Sequence, residues 1–217
     1  GDEILSRVRS LEATLAEARG QQLTDLRVAA GGIAVETSVL AAAALMLDRH
    51  PGVRLTVSTM NWLDVVSAVR EREAELGVLD LTALDPESSD FIVEPLQRHR
   101  SFFVARPGHP LASLDRVTLA EILSFPFVFL GKVPAWLVVV FAKAREAGSA
   151  AGRVHPSFPA LIHESPTAAL QVVEASDAVA VGTMPIARHA LRAGAIVALR
   201  WSEPWARTNF GILQVRS

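Results

Sequence analysis

Apolar residues open the chain at alternating spacings of four and three: Ile4, Val8, Leu11, Leu15 and Ala18. Arg7, Arg9, Glu12 and Glu17 fall off this seam. The pattern predicts a helix over residues 1–20, ended by Gly20, with Leu11 and Leu15 at its centre. So short a helix is marginal in isolation and needs a partner surface. That surface is either its own domain or a second helix that it joins as a dimerising or connecting element.

From Leu26 onwards the period changes. Leu26–Ala30 reads as a strand and Gly31-Gly32 as a turn, and then Val35, Val39, Ala43 and Met46 recur at helical spacing. His50-Pro51-Gly52 stops this helix, because the residue before proline resists helical angles. Val53–Thr59 is a second strand, Trp62–Glu73 a helix and Leu76–Leu79 a third strand. Such alternation predicts parallel strands joined by right-handed crossovers. Strands at Ile92–Leu96 and Ser101–Ala105 lead to the densest break, Arg106-Pro107-Gly108-His109-Pro110. Thr118 and Glu121 then form a capping box. Strands at Phe127–Leu130, Leu161–His163 and Ala178–Val181 alternate with helices at Ala135–Glu146 and Thr167–Ala175. A helix at Ile186–Arg192 and strands at Ile196–Leu199 and Gly211–Val215 finish the chain. The prediction is an α/β fold of two Rossmann-like lobes with a hinge between them.

Composition narrows the function classes. Half of the 217 residues are hydrophobic, a fifth are charged, and the net charge is −2, which suits a folded protein but not a basic nucleic-acid-binding surface. With no cysteine there are no disulfides, thiolate nucleophiles or cysteine metal sites. The longest apolar runs, Val39–Leu47 and Val133–Ala142, are about half the roughly 20 residues of a membrane span. The opening residues form no export signal, so a cytoplasmic protein without membrane contact is expected.

In paired α/β lobes, ligands sit beyond the carboxyl ends of the strands, where helix N-termini present backbone N–H groups. Here those places hold Gly32 and Ile33, then Thr59, Asn61 and Trp62, then Asp80, then Lys132 and Trp136, and finally Ser165 and Thr167. Trp62 and Trp136 are either flat walls of a cleft or core anchors. Ser165 and Thr167 either contact a ligand or cap the helix after Pro166. Lys132, one of only two lysines, either pairs a ligand carboxylate or is solvated. Asp80 either orients a ligand or forms a salt bridge across the hinge. The six histidines lack metal-ligand spacing, and no nucleophile elbow, phosphate loop or complete dinucleotide fingerprint is present, so neither cofactor nor catalysis is expected.

The strings Leu26-Arg27-Val28-Ala29, His50-Pro51-Gly52-Val53, Glu75-Leu76-Gly77-Val78, His109-Pro110-Leu111-Ala112, Ser176-Asp177-Ala178-Val179 and Leu191–Val197 occur in a telling order. Together they resemble the LysR-type bacterial transcriptional regulators, over the connecting helix and the effector-binding domain. The family often has Asp in place of Glu75 and glycines in place of Ser176 and Ala178.

The resemblance implies a type II periplasmic-binding-protein-like fold, with lobe I over 24–104 plus 186–217 and lobe II over 105–185. It implies a sensor that holds a small organic metabolite between the lobes to modulate transcription. The family's winged helix-turn-helix, which contacts promoter DNA, is not among these residues, so a fragment is expected. An extracytoplasmic solute-binding protein, of similar fold, is the alternative. The ring of helix N-termini and the tryptophans predict an organic acid or aromatic effector. A homodimer is expected, extended to a tetramer in the full protein. Small residues including Ala42 and Ala44 on the first domain helix would face the helix holding Phe141 and Ala144 of a neighbour.

Overall fold

A computed structural model of the chain describes residues 25–84, 90–133 and 135–216. The seam containing Leu11 and Leu15 lies outside the described residues.

The first lobe is built on β1 (Asp25–Ala30), which pairs in parallel with β2 (Arg54–Thr59) and β3 (Leu76–Asp80). Strand periodicity sends Leu26, Val28 and Ala30 to one face of the sheet and Ala29 to the other. The first face is covered by α1, a continuous run of Gly32–Ala34, Val35–Val39 and Leu40–Arg49, through Val35, Val39 and Met46. Its middle segment is π-helical. There the Thr37 and Ser38 hydroxyls donate to the Ile33 and Ala34 carbonyls, satisfying acceptors at the widened turn.

The other face is covered by α2 (Trp62–Arg70) through Val65, Ala68 and Val69. This close approach requires Gly77, where a Cβ would stand 2.8 Å from Val69. β4 (Phe91–Pro95) and β11 (Phe210–Val215) complete the sheet with antiparallel pairing, in the order β2-β1-β3-β11-β4.

The second lobe has the order β10-β5-β8-β6-β7, with β9 also on β5. These strands are β5 (His99–Ala105), β6 (Phe127–Leu130), β7 (Leu161–His163), β8 (Val179–Thr183), β9 (Val197–Ala198) and β10 (Arg207–Thr208). Its helices are α3 (Leu119–Ile122), opened by the expected Thr118–Glu121 capping box, α4 (Ala135–Ala150), α5 (Pro166–Glu174) and α6 (Met184–Arg192). Phe103, Phe127, Phe129, Phe141 and Trp201 form an aromatic core on one side of the sheet. Val104, Val128, Ala180, Leu170 and Val173 form an aliphatic core on the other.

Two expectations are corrected. The sheets move the lobe boundaries from 104/105 and 185/186 to residues 96–99 and 208–210. β5, β9 and β10 hydrogen-bond within the second sheet, whereas β4 and β11 belong to the first. Residues 92–105 read as two successive strands, and only their ladder partners tell which sheet each joins. Phe141 does not face a neighbouring subunit, because it is 1% exposed and packs edge-on against Phe127 and Phe158. The run Val138-Val139-Val140-Phe141-Ala142 is apolar on every side, so its periodicity did not distinguish the faces. Val138, Val139 and Ala142 are the exposed members.

His109, in the proline-rich break, is 1% exposed. Its Nδ1 accepts from the Leu111 N–H at 3.1 Å and caps the turn Pro110–Ser113, while Nε2 donates to the Asp177 carbonyl at 3.3 Å. Burial lowers its pKa below the ordinary value of 6.5. The folded chain therefore binds fewer protons than the unfolded one once the pH falls below that value, so stability is lost on acidification through this window. Glu75, where burial raises the pKa but the hydrogen bonds and charge of Arg27 together lower it further, and Glu121, lowered by hydrogen bonds from Thr118, add a loss only in the carboxylate range. Melting temperatures should thus fall between pH 7 and pH 5. His109→Asn, which keeps an acceptor for Leu111 but does not titrate, should flatten that slope; an unchanged slope would remove His109 from the account.

Candidate functional site

The chain passes from β4 to β5 and returns from β10 to β11. The two passages are tied together: the Leu96 N–H donates to the Phe210 carbonyl at 2.7 Å, and Arg98 Nε donates to Asn209 Oδ1 at 3.1 Å. A cavity of about 170 Å³ opens between the lobes beside this hinge. Lobe I contributes Gly31, Gly32 and Ile33 from the start of α1, Asn61 and Trp62 from the start of α2, and Asp80 from the end of β3. Lobe II contributes Phe102 and Phe103, Gly131 and Lys132 after β6, Trp136 of α4, Glu164, and Trp201, Trp205 and Arg207 of the returning segment.

Aromatic rings dominate the wall. Phe103, Trp201, Trp205 and Trp136 form a chain of edge-to-face contacts, with centroids 4.5, 5.4 and 5.9 Å apart. This arrangement suits the ring quadrupoles. The ladder runs from the lobe II core to a partly exposed rim at Trp136 and Trp205. Every tryptophan of the chain lines this one cavity.

The polar groups are fewer and partly spoken for. Asn61 Oδ1 accepts from the Leu63 and Asp64 N–H groups and caps α2. Asp80 Oδ1 accepts from the Thr82 N–H at 3.0 Å and the Thr82 hydroxyl at 2.8 Å. The first turn of α1 has no side-chain cap, so its N–H groups at Gly32 and Ile33 remain free donors of the cleft, and the buried indole N–H of Trp62 is another donor without a partner. Lys132 and Arg207 balance Asp80 and Glu164 among the lining charges.

A profile of the LysR substrate binding domain matches residues 19–214. The chain belongs to this LysR family. It is the effector-sensing domain of a LysR-type transcriptional regulator, and the solute-binding-protein alternative has less support. No curated protein matches it by sequence. Among solved structures it is similar to the regulatory domain of Synechocystis PCC6803 CcmR in complex with 2-PG, at 16% identity and TM-score 0.66, covering 89% of this chain and 88% of that one. It is likewise similar to the regulatory domain of MetR, a LysR family regulator from N. meningitidis, at 16% identity and TM-score 0.64, covering 88% and 84%. A cysteine-to-serine mutant of Corynebacterium glutamicum OxyR with H2O2 bound aligns at 15% identity and TM-score 0.65, covering 98% and 66%. These likenesses support the two-lobed fold. No helix among the described residues is long and apolar enough to cross a membrane.

Of the residues singled out from the sequence of this LysR-family domain, Gly32, Ile33, Asn61, Trp62, Asp80, Lys132 and Trp136 line the cavity. Thr59, Ser165 and Thr167 do not line it. The Ser165 and Thr167 hydroxyls instead donate to the carboxylate of Glu36, at 2.9 and 2.6 Å, across the gap between the lobes. Sequence reasoning missed Trp201, Trp205 and Glu36. The pair of tryptophans four apart around Pro204, in a segment without strand or helix pattern, was the available signal for the first two. Glu36 had none, since it sits on a helix face where an acidic residue ordinarily meets solvent.

Gly32 explains how closely the lobes meet. A Cβ there would overlap the Glu164 carbonyl oxygen, whereas a Cβ at Gly31 would meet nothing within 4 Å. Gly32→Ala must therefore push α1 and lobe II apart and should destabilise the domain by about 1–3 kcal/mol. Gly31→Ala, at φ −66° and ψ 148°, should stay within about 0.5 kcal/mol. Urea unfolding of the two variants checks the pair, and equal stabilities would contradict this packing.

Proposed function

We propose that the domain senses a small planar organic molecule, about one aromatic ring in size, held in the inter-lobe cavity. The observation that carries this reading is the gathering of all four tryptophans around that cavity. A cavity of about 150 Å³ accommodates benzene, so about 170 Å³ suits a single ring with a small substituent. The ring would stack against Trp136 and Trp205. A polar or anionic substituent would meet the uncapped N–H groups of α1, with Lys132 and Arg207 nearby. Gly32, Ile33, Asn61, Trp62 and Asp80 would shape the other wall. Binding changes regulation only if it favours one arrangement of the lobes over another. DNA would be contacted by a winged helix-turn-helix outside these residues.

The surfaces of α1 and α4 support a homodimer. Leu40 and Leu47 are each 54% exposed, Ala44 lies on the exposed side and Ala42 is half-buried. Val138 and Val139 offer an apolar counterpart on α4, with Ala144 half-buried further along it. A homodimer in which α1 of one subunit packs on α4 of the other would cover both stripes. Ala44→Arg should then shift sedimentation from dimer to monomer, and an unchanged sedimentation coefficient would argue against this contact.

The cavity is tested by its own fluorophores. Titration with benzoate should change tryptophan emission saturably in the unsubstituted domain, and Trp205→Ala should weaken binding on the order of tenfold. Acetate, which lacks the ring, should give no saturable change. The reading fails if aromatic probes leave the emission unaltered or if Trp205→Ala binds benzoate equally well.

A further inference from the structure

The cavity is bounded by a covalent hinge at one end, and the sheet orders show what lies at the other. In lobe I the chain enters and leaves through β4 and β11, at the edge away from β1 and β2. In lobe II it passes through β5 and β10, and β7 is the far edge. Glu36 follows β1, and Ser165 and Thr167 follow β7, so their contact is made on the side opposite the hinge. A bond placed away from the hinge acts with a lever arm against opening.

We propose that Glu36 is the clasp that holds the two lobes closed over the cavity. Its carboxylate accepts from the Ser165 hydroxyl at 2.9 Å, the Thr167 hydroxyl at 2.6 Å and the Thr167 N–H at 3.2 Å. The α5 N-terminus does not depend on Glu36 for its cap, since Ser165 Oγ already accepts from the Ala168 N–H at 3.3 Å. Glu36 is an additional anion, brought from the other lobe to the positive end of a nine-residue helix. Glu36 and Ser165 are half-buried, which limits screening of their bond by salt, while Thr167 is exposed.

The clasp is coupled to the cavity through Glu164, the residue before Ser165. Glu164 lines the cavity, and its carbonyl sits against Gly32, four residues before Glu36 on the same helix. Opening the lobes thus breaks the Glu36 bonds and separates Gly32 from Glu164 in one motion. Glu36 is a positioning residue that sets the closed fraction of the ligand-free domain. Its influence on the effector rests on the cavity being the effector site.

The cysteine-free chain lends itself to the test. Dyes on Ser58→Cys in β2 and Gln171→Cys in α5, both exposed positions, report the lobe separation by single-molecule energy transfer. Charge-assisted hydrogen bonds of this kind imply that Glu36→Ala raises the open-to-closed ratio on the order of tenfold. Sodium formate, unlike sodium chloride at equal ionic strength, should restore the closed population by filling the vacated carboxylate position. Glu36→Gln, which keeps one acceptor, should open less. If Glu36→Ala does not fold, Ser165→Ala with Thr167→Val removes the donors from the other lobe and should give the same opening. Unchanged energy transfer in the folded variants would overturn the clasp. Failure of the effector site shows separately, as benzoate leaving the tryptophan emission of the unsubstituted chain unaltered while Glu36→Ala still opens.

Discussion

Two strands that cross between the sheets side by side restrict how the rest of the molecule can move. The Leu96–Phe210 and Arg98–Asn209 hydrogen bonds make the two passages a single connection, so the lobes can turn about one line with little other freedom. The proposed effector site and clasp lie off that line. The cavity is next to it, and the contacts among Gly32, Glu164, Glu36, Ser165 and Thr167 are made by segments that follow β1 and β7, away from the strands that carry the crossing. A modest rotation at the hinge therefore becomes a large separation at the rim. In the proposed clasp, weak bonds there would govern a motion that the hinge guides.

The cavity wall combines two physical requirements in different proportions on its two sides. Lobe II supplies rings that lean on one another from Phe103 out to Trp136, which holds the partly exposed tryptophans in place without polar partners. Lobe I supplies the starts of α1 and α2, where backbone donors collect. Asn61 satisfies the Leu63 and Asp64 donors of α2, while the first turn of α1 and the buried indole N–H of Trp62 carry donors without a side-chain partner. The division gives a flat body and a polar group separate places to bind.

Helix α1 joins these features. Its first turn lines the cavity, its Gly32 lets the other lobe approach, its π-helical turn carries Glu36, and its later turns cover the lobe I sheet through Met46. Packing against a rigid sheet makes the helix move as one body with lobe I. Its first turn, glycine and carboxylate therefore meet or leave lobe II together.

Local pattern made most of the elements legible. Phe127–Leu130 and Leu161–His163 match the observed strands residue for residue, and the Thr118–Glu121 capping box is present as read. These follow from short-range causes: side-chain alternation, proline and glycine stops, and cap hydrogen bonds within a few residues. The tertiary structure alone decided which sheet β5 joins, that Phe141 points inward, that Trp201 and Trp205 meet Trp136, and that Ser165 and Thr167 answer to Glu36. Each of these pairs residues far apart in the chain, Glu36 and Ser165 by 129 positions. Such contacts depend on the relative placement of whole sheets and helices, which the periodicity of any one segment does not encode.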